Sequence, residues 1–278
     1  MYLGVSRRRK ILRETLEKLV KGKISIEEAE KALRINAIEQ VANIARLDVS
    51  RDVRRGSPEI VLAEGKSLDD LTSICTRMLE KSGRVIISRL DDLQLSKLNE
   101  KFERGYERQQ FAHAKSLVIR KKGYSRLETG GKVGVLTAGT ADLGVAEEAA
   151  MIAEEMGCKT FVEADAGVAG IHRIVEPLRS MIENDVDCLI VVAGREGALP
   201  TVVAGLVDIP IIAVPASSGY GYGGQGQAAL MAMLQACSLG LAVVNIDSGI
   251  AAGVVAAQIA NRVAKARRTK DLTESSSL

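Results

Sequence analysis

Tryptophan is absent, and aromatic residues make up only 3% of the 278-residue chain. That argues against the ring-stacking platforms that hold single-stranded nucleic acid. Histidine occurs twice, as His113 and His172. The four cysteines, Cys75, Cys158, Cys188 and Cys237, stand nowhere at CxxC spacing. The ligand pattern of a structural zinc site is therefore missing. Met1–Lys10 is basic but has no apolar run behind it, so no secretion signal is read there. With scattered thiols, this leads to the expectation of a reducing, cytoplasmic setting. Long hydrophobic runs are also lacking. The most apolar window, Leu241–Ala260, contains Asn245, Asp247 and Gly249 and reads as strand, turn and helix, so no membrane span is expected.

What is present is a globular composition, 46% apolar and 26% charged. The net charge of +3 is unevenly spread. Residues 1–130 carry 28 Lys and Arg against 19 Asp and Glu, and residues 131–278 carry 10 against 16. The basic half interleaves its charge with Glu, as solvated helix faces do. An anionic small molecule or a neighbouring subunit suits it better than nucleic acid.

Residues 1–50 read as helical. Apolar positions recur at helical spacing over Ser6–Val20 and Ile26–Arg46, with Ser25 and Glu28 as a capping box. Residues 51–125 read as a small α/β unit. Its strands are Glu59–Ala63, Arg84–Ser88 and Ser116–Arg120, and its helices Leu68–Lys81 and Asp91–Phe102. After a glycine-bearing linker, residues 131–268 alternate strand and helix five times. The strands are Val133–Thr137, Lys159–Ala164, Cys188–Ala193, Pro210–Val214 and Leu241–Asn245. The helices are Ala141–Met156, Val168–Asn184, Ala198–Val207, Gln225–Ser238 and Ala251–Lys265. Short apolar strands alternating with helices predict a parallel sheet covered on both faces, with its βα loops along one edge. Residues 269–278 read as a frayed tail.

Four of those loops carry chemistry. In the first, Gly139 permits close backbone approach to an anion, Thr140 adds a hydroxyl, and Asp142 is placed to cap the next helix or orient a ribose. The second offers His172 for proton transfer and Arg173 for a carboxylate or phosphate. In the third, Gly194-Arg195-Glu196-Gly197 follows a wholly apolar strand; Glu196 is a candidate proton acceptor and Arg195 an anion clamp. The fourth is glycine-rich. Gly219, Gly221 and Gly224 satisfy GxGxxG, but four residues separate the motif from its strand, and that strand is the fourth of the series rather than the first. Asp247 fits a ribose-binding acid only loosely. A flap over a ligand is the better reading. Cys237 sits near the predicted C-terminal end of this loop's helix, just before the next strand, as either a nucleophile or a small core residue.

Taken in order, Gly139-Thr140-Ala141-Asp142, His172-Arg173, Leu199-Pro200 and Ile211-Ile212-Ala213-Val214-Pro215 resemble the PurE-type phosphoribosylaminoimidazole carboxylase domain. The stretch Gly194–Pro200, the Gly219-Tyr220-Gly221 loop, Cys237 and Val244–Asp247 resemble more closely the LarB carboxylase/hydrolase family. So do Arg55-Gly56-Ser57-Pro58-Glu59-Ile60 and Gly65-Lys66-Ser67. Ala198 stands where the purine enzyme carries a catalytic histidine. Ala141, Gly144 and Ser248 stand where Ser, Pro and Asn are expected.

The resemblance implies an α/β fold with a three-layer parallel sheet, flavodoxin-like, behind a smaller N-terminal domain. It implies carboxylation of the pyridinium ring of nicotinic acid adenine dinucleotide by CO2 and hydrolysis of its phosphoanhydride, beginning nickel-pincer cofactor synthesis. Cys237 would be the nucleophile and Glu196 the base. Arg173, Arg195 and Arg55 would hold carboxylate or phosphate, Gly139–Asp142 the nucleotide phosphate, and Tyr220–Gly224 would close over the site. An octamer is implied, with no organic cofactor. Asp142, Asp165 or a bound Mg2+ are the candidates for the hydrolytic step. A purine carboxylase and a non-catalytic nucleotide-binding module are the alternatives.

Overall fold

The computed structural model describes residues 14–29, 39–41, 45–47 and 56–275. Residues 14–20 and 26–29 are helical. The capping box before the second segment forms as expected: the Glu28 N–H donates to Ser25 Oγ at 3.1 Å and the Ser25 N–H to Glu28 Oε2 at 2.9 Å. The helix expected to run on to Arg46 does not. Strands β1 (Glu39–Val41) and β2 (Ala45–Leu47) pair antiparallel instead. The alternation Ala45, Leu47, Val49 against Arg46, Asp48, Ser50 is a period-two signal that competes with the helical one and wins.

The N-terminal sheet contains β3 (Ile60–Leu62), β4 (Arg84–Ser88), β5 (Tyr106–Phe111) and β6 (Ser116–Lys121), in the order β3-β4-β6-β5. Strand β5 is not among the expected strands, because YERQQF is almost wholly polar. It pairs as an edge and leaves most of its residues exposed. Helix α1 (Leu68–Ser82) is capped by Ser67 and ends at left-handed Gly83. Helix α2 (Asp92–Lys101) begins with the Asp91–Gln94 capping box. Leu71, Leu79 and Leu98 bury their faces on this sheet.

The C-terminal sheet is wholly parallel, in the order β11-β10-β9-β7-β8. Its strands are β7 (Lys132–Thr137), β8 (Lys159–Glu163), β9 (Cys188–Ala193), β10 (Ile211–Pro215) and β11 (Leu241–Val243). Helices α3 (Leu143–Glu155) and α7 (Gly249–Ser275) cover one face. Helices α4 (Val175–Glu183), α5 (Ala198–Ala204) and α6 (Gln227–Leu234) cover the other. The expected three-layer α/β architecture is present. Val168–Ile174 is a 3-10 segment kinked at Gly170 rather than the start of a single helix. Helix α7 continues to Ser275, through the stretch expected to fray, because Lys270–Glu274 holds no glycine or proline to stop it.

The two sheets share one core. Ile86 of β4 and Val118 of β6 join Val133, Met151 and Ile152 in a single buried cluster, so the N-terminal sheet packs on α3. Gly144 explains one departure noted above: a Cβ there would sit 2.7 Å from the His113 carbonyl oxygen. The β5–β6 turn can approach α3 only over glycine.

Candidate active site

Counted in chain order, the C-terminal sheet runs 2-1-3-4-5, and its connections change direction between β7 and β9. In such sheets a crevice opens outside the strand ends at that point. A cleft of about 440 Å3 lies there. It is lined by the loops that follow β7, β8, β9 and β10.

The loop after β9 is strained in the way functional turns often are. Arg195 has φ 50° and Gly197 φ 65°, both left-handed. Between them Glu196 is exposed and lines the cleft. The turn interlocks with the glycine-rich loop after β10. A Cβ on Gly219 would meet the Arg195 nitrogen at 2.6 Å, and one on Gly194 would overlap Ser218. The Arg195 guanidinium lies 4.2 Å from the centroid of the Tyr220 ring, a cation–π seat that aims it along the cleft. Arg173 lines the opposite wall and bonds Asp165 at 3.2 Å. At Gly139 a Cβ would meet only Asp142 Oδ2 at 3.9 Å, so nothing in the chain demands glycine and the space belongs to the cleft.

Asp142 is in place and takes the expected capping role. It is buried, and both its oxygens are engaged. Oδ2 accepts from the Gly139 N–H at 3.1 Å and Oδ1 from the Ser218 hydroxyl at 2.5 Å. It ties the first loop to the glycine-rich loop at the wall of the cleft. Ser218, which reads in sequence as a spacer before the glycines, is the other half of that tie.

Thr140 and His172 are exposed and do not line the cleft. Gly221, at φ 88°, shapes the flap without touching the site. Asp247 faces a second, interdomain cavity. Arg55 lies outside the described residues. Cys237 is the largest displacement. It is exposed and follows α6 at the edge where the strands begin; the Ile211 N–H bonds the Gly240 carbonyl there. Glu196 follows β9 at the edge where they end. Four strand steps, roughly 13 Å, separate the two levels. The strand–helix alternation implies this, because in a parallel sheet a residue between a helix and the following strand lies at the edge where the strands begin. The other three thiols are buried, and burial pushes Cys75 and Cys188 up to about 12 and Cys158 to about 11. They are inert core groups.

Among the described residues no three His, Cys, Asp or Glu side chains gather as metal ligands, and no helix is long and apolar enough to cross a membrane.

Glu148 forms the floor of the interdomain cavity. It accepts from the Ser88 hydroxyl and from the Ile250 N–H at 3.2 Å, and burial raises its carboxyl above the usual 4.5. A raised folded-state value contributes stability that is complete below about 4.5 and is lost as the pH climbs through the folded value. Glu148→Gln removes that dependence. The melting temperature of the wild type minus that of the variant should fall between pH 4 and pH 7; a difference that rises would contradict the assignment.

A parallel sheet with a charged crevice at its switch point is the architecture of an α/β ligand-binding domain. The AIR carboxylase family model matches residues 132–276, and a LarB/PurE-like N-terminal domain model matches residues 38–121. The chain belongs to the AIR carboxylase family, in its LarB branch. It is 43% identical over 255 residues to an uncharacterized protein of Methanocaldococcus jannaschii, covering 90% of this chain and 97% of that one. It is 34% identical over 127 residues to the N5-carboxyaminoimidazole ribonucleotide mutase of the same organism, covering 45% of this chain and 76% of that one. It is 35% identical over 91 residues to the mutase of that name from Pyrococcus abyssi, covering 31% of this chain and 50% of that one.

Proposed function

We propose that this protein carboxylates the pyridinium ring of nicotinic acid adenine dinucleotide with CO2 and hydrolyses the phosphoanhydride. The products are pyridinium-3,5-biscarboxylate mononucleotide and AMP, in the first step of nickel-pincer cofactor synthesis. The observation that carries the reading is Glu196, held on a strained turn in a cleft that Arg173 and Arg195 also line, with Ala198 where a purine carboxylase would place histidine.

The chemistry follows from the ring. A pyridinium is too electron-poor to attack CO2. The Cys237 thiolate adds to a ring carbon beside position 5, and the ring becomes a neutral, enamine-like dihydropyridine. Carbon 5 then attacks CO2 with that electron pair. Glu196 takes the proton from carbon 5, the ring regains aromaticity, and the thiolate leaves. Arg195 and Arg173 hold the carboxylate and phosphate oxygens. Water attacks the anhydride in the second step. Asp142 and Asp165 are the candidates to orient it, and a need for Mg2+ is tested by adding a chelator.

Within one chain Cys237 and Glu196 occupy opposite edges of the sheet. The reading therefore requires a homo-oligomer in which one copy supplies the thiol to another's cleft. Exposed Met231, Leu234 and Leu239 beside Cys237 provide an apolar surface for such packing. PurE-type resemblance favours an octamer.

The test is a mass spectrum after incubation with nicotinic acid adenine dinucleotide and CO2. A ring-carboxylated mononucleotide is expected; carboxylation of aminoimidazole ribonucleotide instead would install the purine reading. Cys237→Ala alone should be inactive. When it is co-assembled with Glu196→Gln, about one site in four is complete if the residues come from different copies. No recovery from folded, mixed oligomers would exclude the shared site.

A further inference from the structure

Among the described residues seven non-glycine positions have left-handed backbone, and six of them, all but Asp185, lie in the loops around two adjoining cavities. Such conformations cost free energy and gather at ligand clamps. One cavity is the cleft described above. The other, of about 750 Å3, lies between the N-terminal domain and the same edge of the parallel sheet. Ala141 and Ser218 line both, so the two spaces meet across the Asp142–Ser218 hydrogen bond.

The second cavity carries charges of both signs. The N-terminal domain contributes Arg89 (φ 58°), Lys115 (φ 46°) and His113 together with Glu64 and Asp91, and Glu148 lines it from the other side. Asp91 caps α2 and Glu148 is held by Ser88 and Ile250, which leaves Lys115, Arg89 and Asp247 as the groups to weigh. The Lys115 ammonium has no ion-pair partner among the described residues. Arg89 is paired with Glu64 at 3.1 Å, but both are more than half exposed, so the pair is weak and exchangeable. The C-terminal domain contributes Asp247 (φ 53°). Its Oδ1 accepts from the Ser217 N–H at 2.8 Å, which fixes the carboxylate, while Oδ2 has no partner among the described residues. Cations facing a fixed carboxylate suit a ligand with an anionic group at one end and hydroxyls at the other.

We propose that this interdomain cavity is a second subsite for a nucleoside 5′-phosphate. Arg89 and Lys115 take the phosphate through charge-assisted bonds, and Asp247 takes the sugar hydroxyls. The occupant is either the distal half of the dinucleotide or a free nucleotide; the first source rests on the function proposed above. The N-terminal domain then supplies both cations that line this cavity, where the PurE-type half contributes none.

The test is calorimetric titration of the full chain with AMP. Wild type should bind AMP, and Lys115→Asn, whose side chain tolerates the left-handed backbone, should weaken binding about tenfold. Asp247→Asn should weaken AMP while leaving inorganic phosphate unaffected, and Glu196→Gln should change neither. Melting temperatures show that each variant folds. If Lys115→Asn also raises KM for nicotinic acid adenine dinucleotide, the occupant is the substrate's distal half. If only AMP binding falls, the occupant is a free nucleotide. No AMP binding by wild type, or equal affinity in Lys115→Asn, overturns the subsite. AMP binding as expected with no ring carboxylation would instead overturn the proposed reaction and leave the subsite standing.

Discussion

Glu196→Gln should lower ring carboxylation by about 10²- to 10⁴-fold, with little change in KM. The size follows from the step removed. Glutamine is nearly isosteric and keeps an oxygen toward the ring, but it accepts no proton. The thiolate can still add and carbon 5 can still attack CO2. The carboxylated dihydropyridine then lacks its route back to aromaticity. A covalent enzyme–substrate adduct should accumulate and be visible as added mass on the intact chain. Stability should stay within about 0.5 kcal/mol, since Glu196 is exposed and forms no ion pair among the described residues. Turnover at the wild-type rate would end its role as the base.

Glu155→Ala should destabilise the fold by about 3–5 kcal/mol, lowering the melting temperature by on the order of 10 °C. Arg84 of β4 and Arg120 of β6 are directly opposite in an antiparallel pair, where like charges repel. Glu155, the last residue of α3, resolves that conflict. Its side chain is 1% exposed; Oε2 accepts from Arg84 at 2.9 Å and Oε1 from Arg120. Arg84 also donates to the Glu155 carbonyl at 2.6 Å. Removing the carboxylate takes the shared anion from Arg84, Arg120 and Arg126 at the seam between the domains. Adding Arg84→Met and Arg120→Leu should recover much of the loss, because an apolar seam carries no charge to solvate. Chemical denaturation of the three proteins measures this. A loss under 1 kcal/mol for Glu155→Ala would mean that water reaches the seam.

Much of the C-terminal half is legible in sequence because its strands are short apolar runs flanked by glycine, a pattern that few other structures satisfy. Cys188–Ala193 is the same strand in both, residue for residue. The third loop is legible too, since Arg195-Glu196 between glycines after a buried strand has little reason to exist as plain surface. Strand β5 is invisible because an edge strand needs no apolar face. The role of Asp142 is half legible. A capping acid at that spacing is expected, but the Ser218 hydroxyl that takes its second oxygen comes from 76 residues away. Asp247 falls at the expected edge of the sheet but in a different cavity, because the position of the N-terminal domain is not written in local pattern.

Periodicity and glycine placement in this chain determined by themselves the layered α/β architecture and the sheet edge at which Arg195 and Glu196 line a cleft. Tertiary packing alone decided where the parts stand. The Ser218 hydroxyl reaches Asp142 across 76 residues and ties two loops of the cleft together, and Gly144 lets the N-terminal turn close over a second cavity. Spacing along a chain constrains only neighbours within a few residues, whereas the meeting of distant loops depends on how buried faces fit.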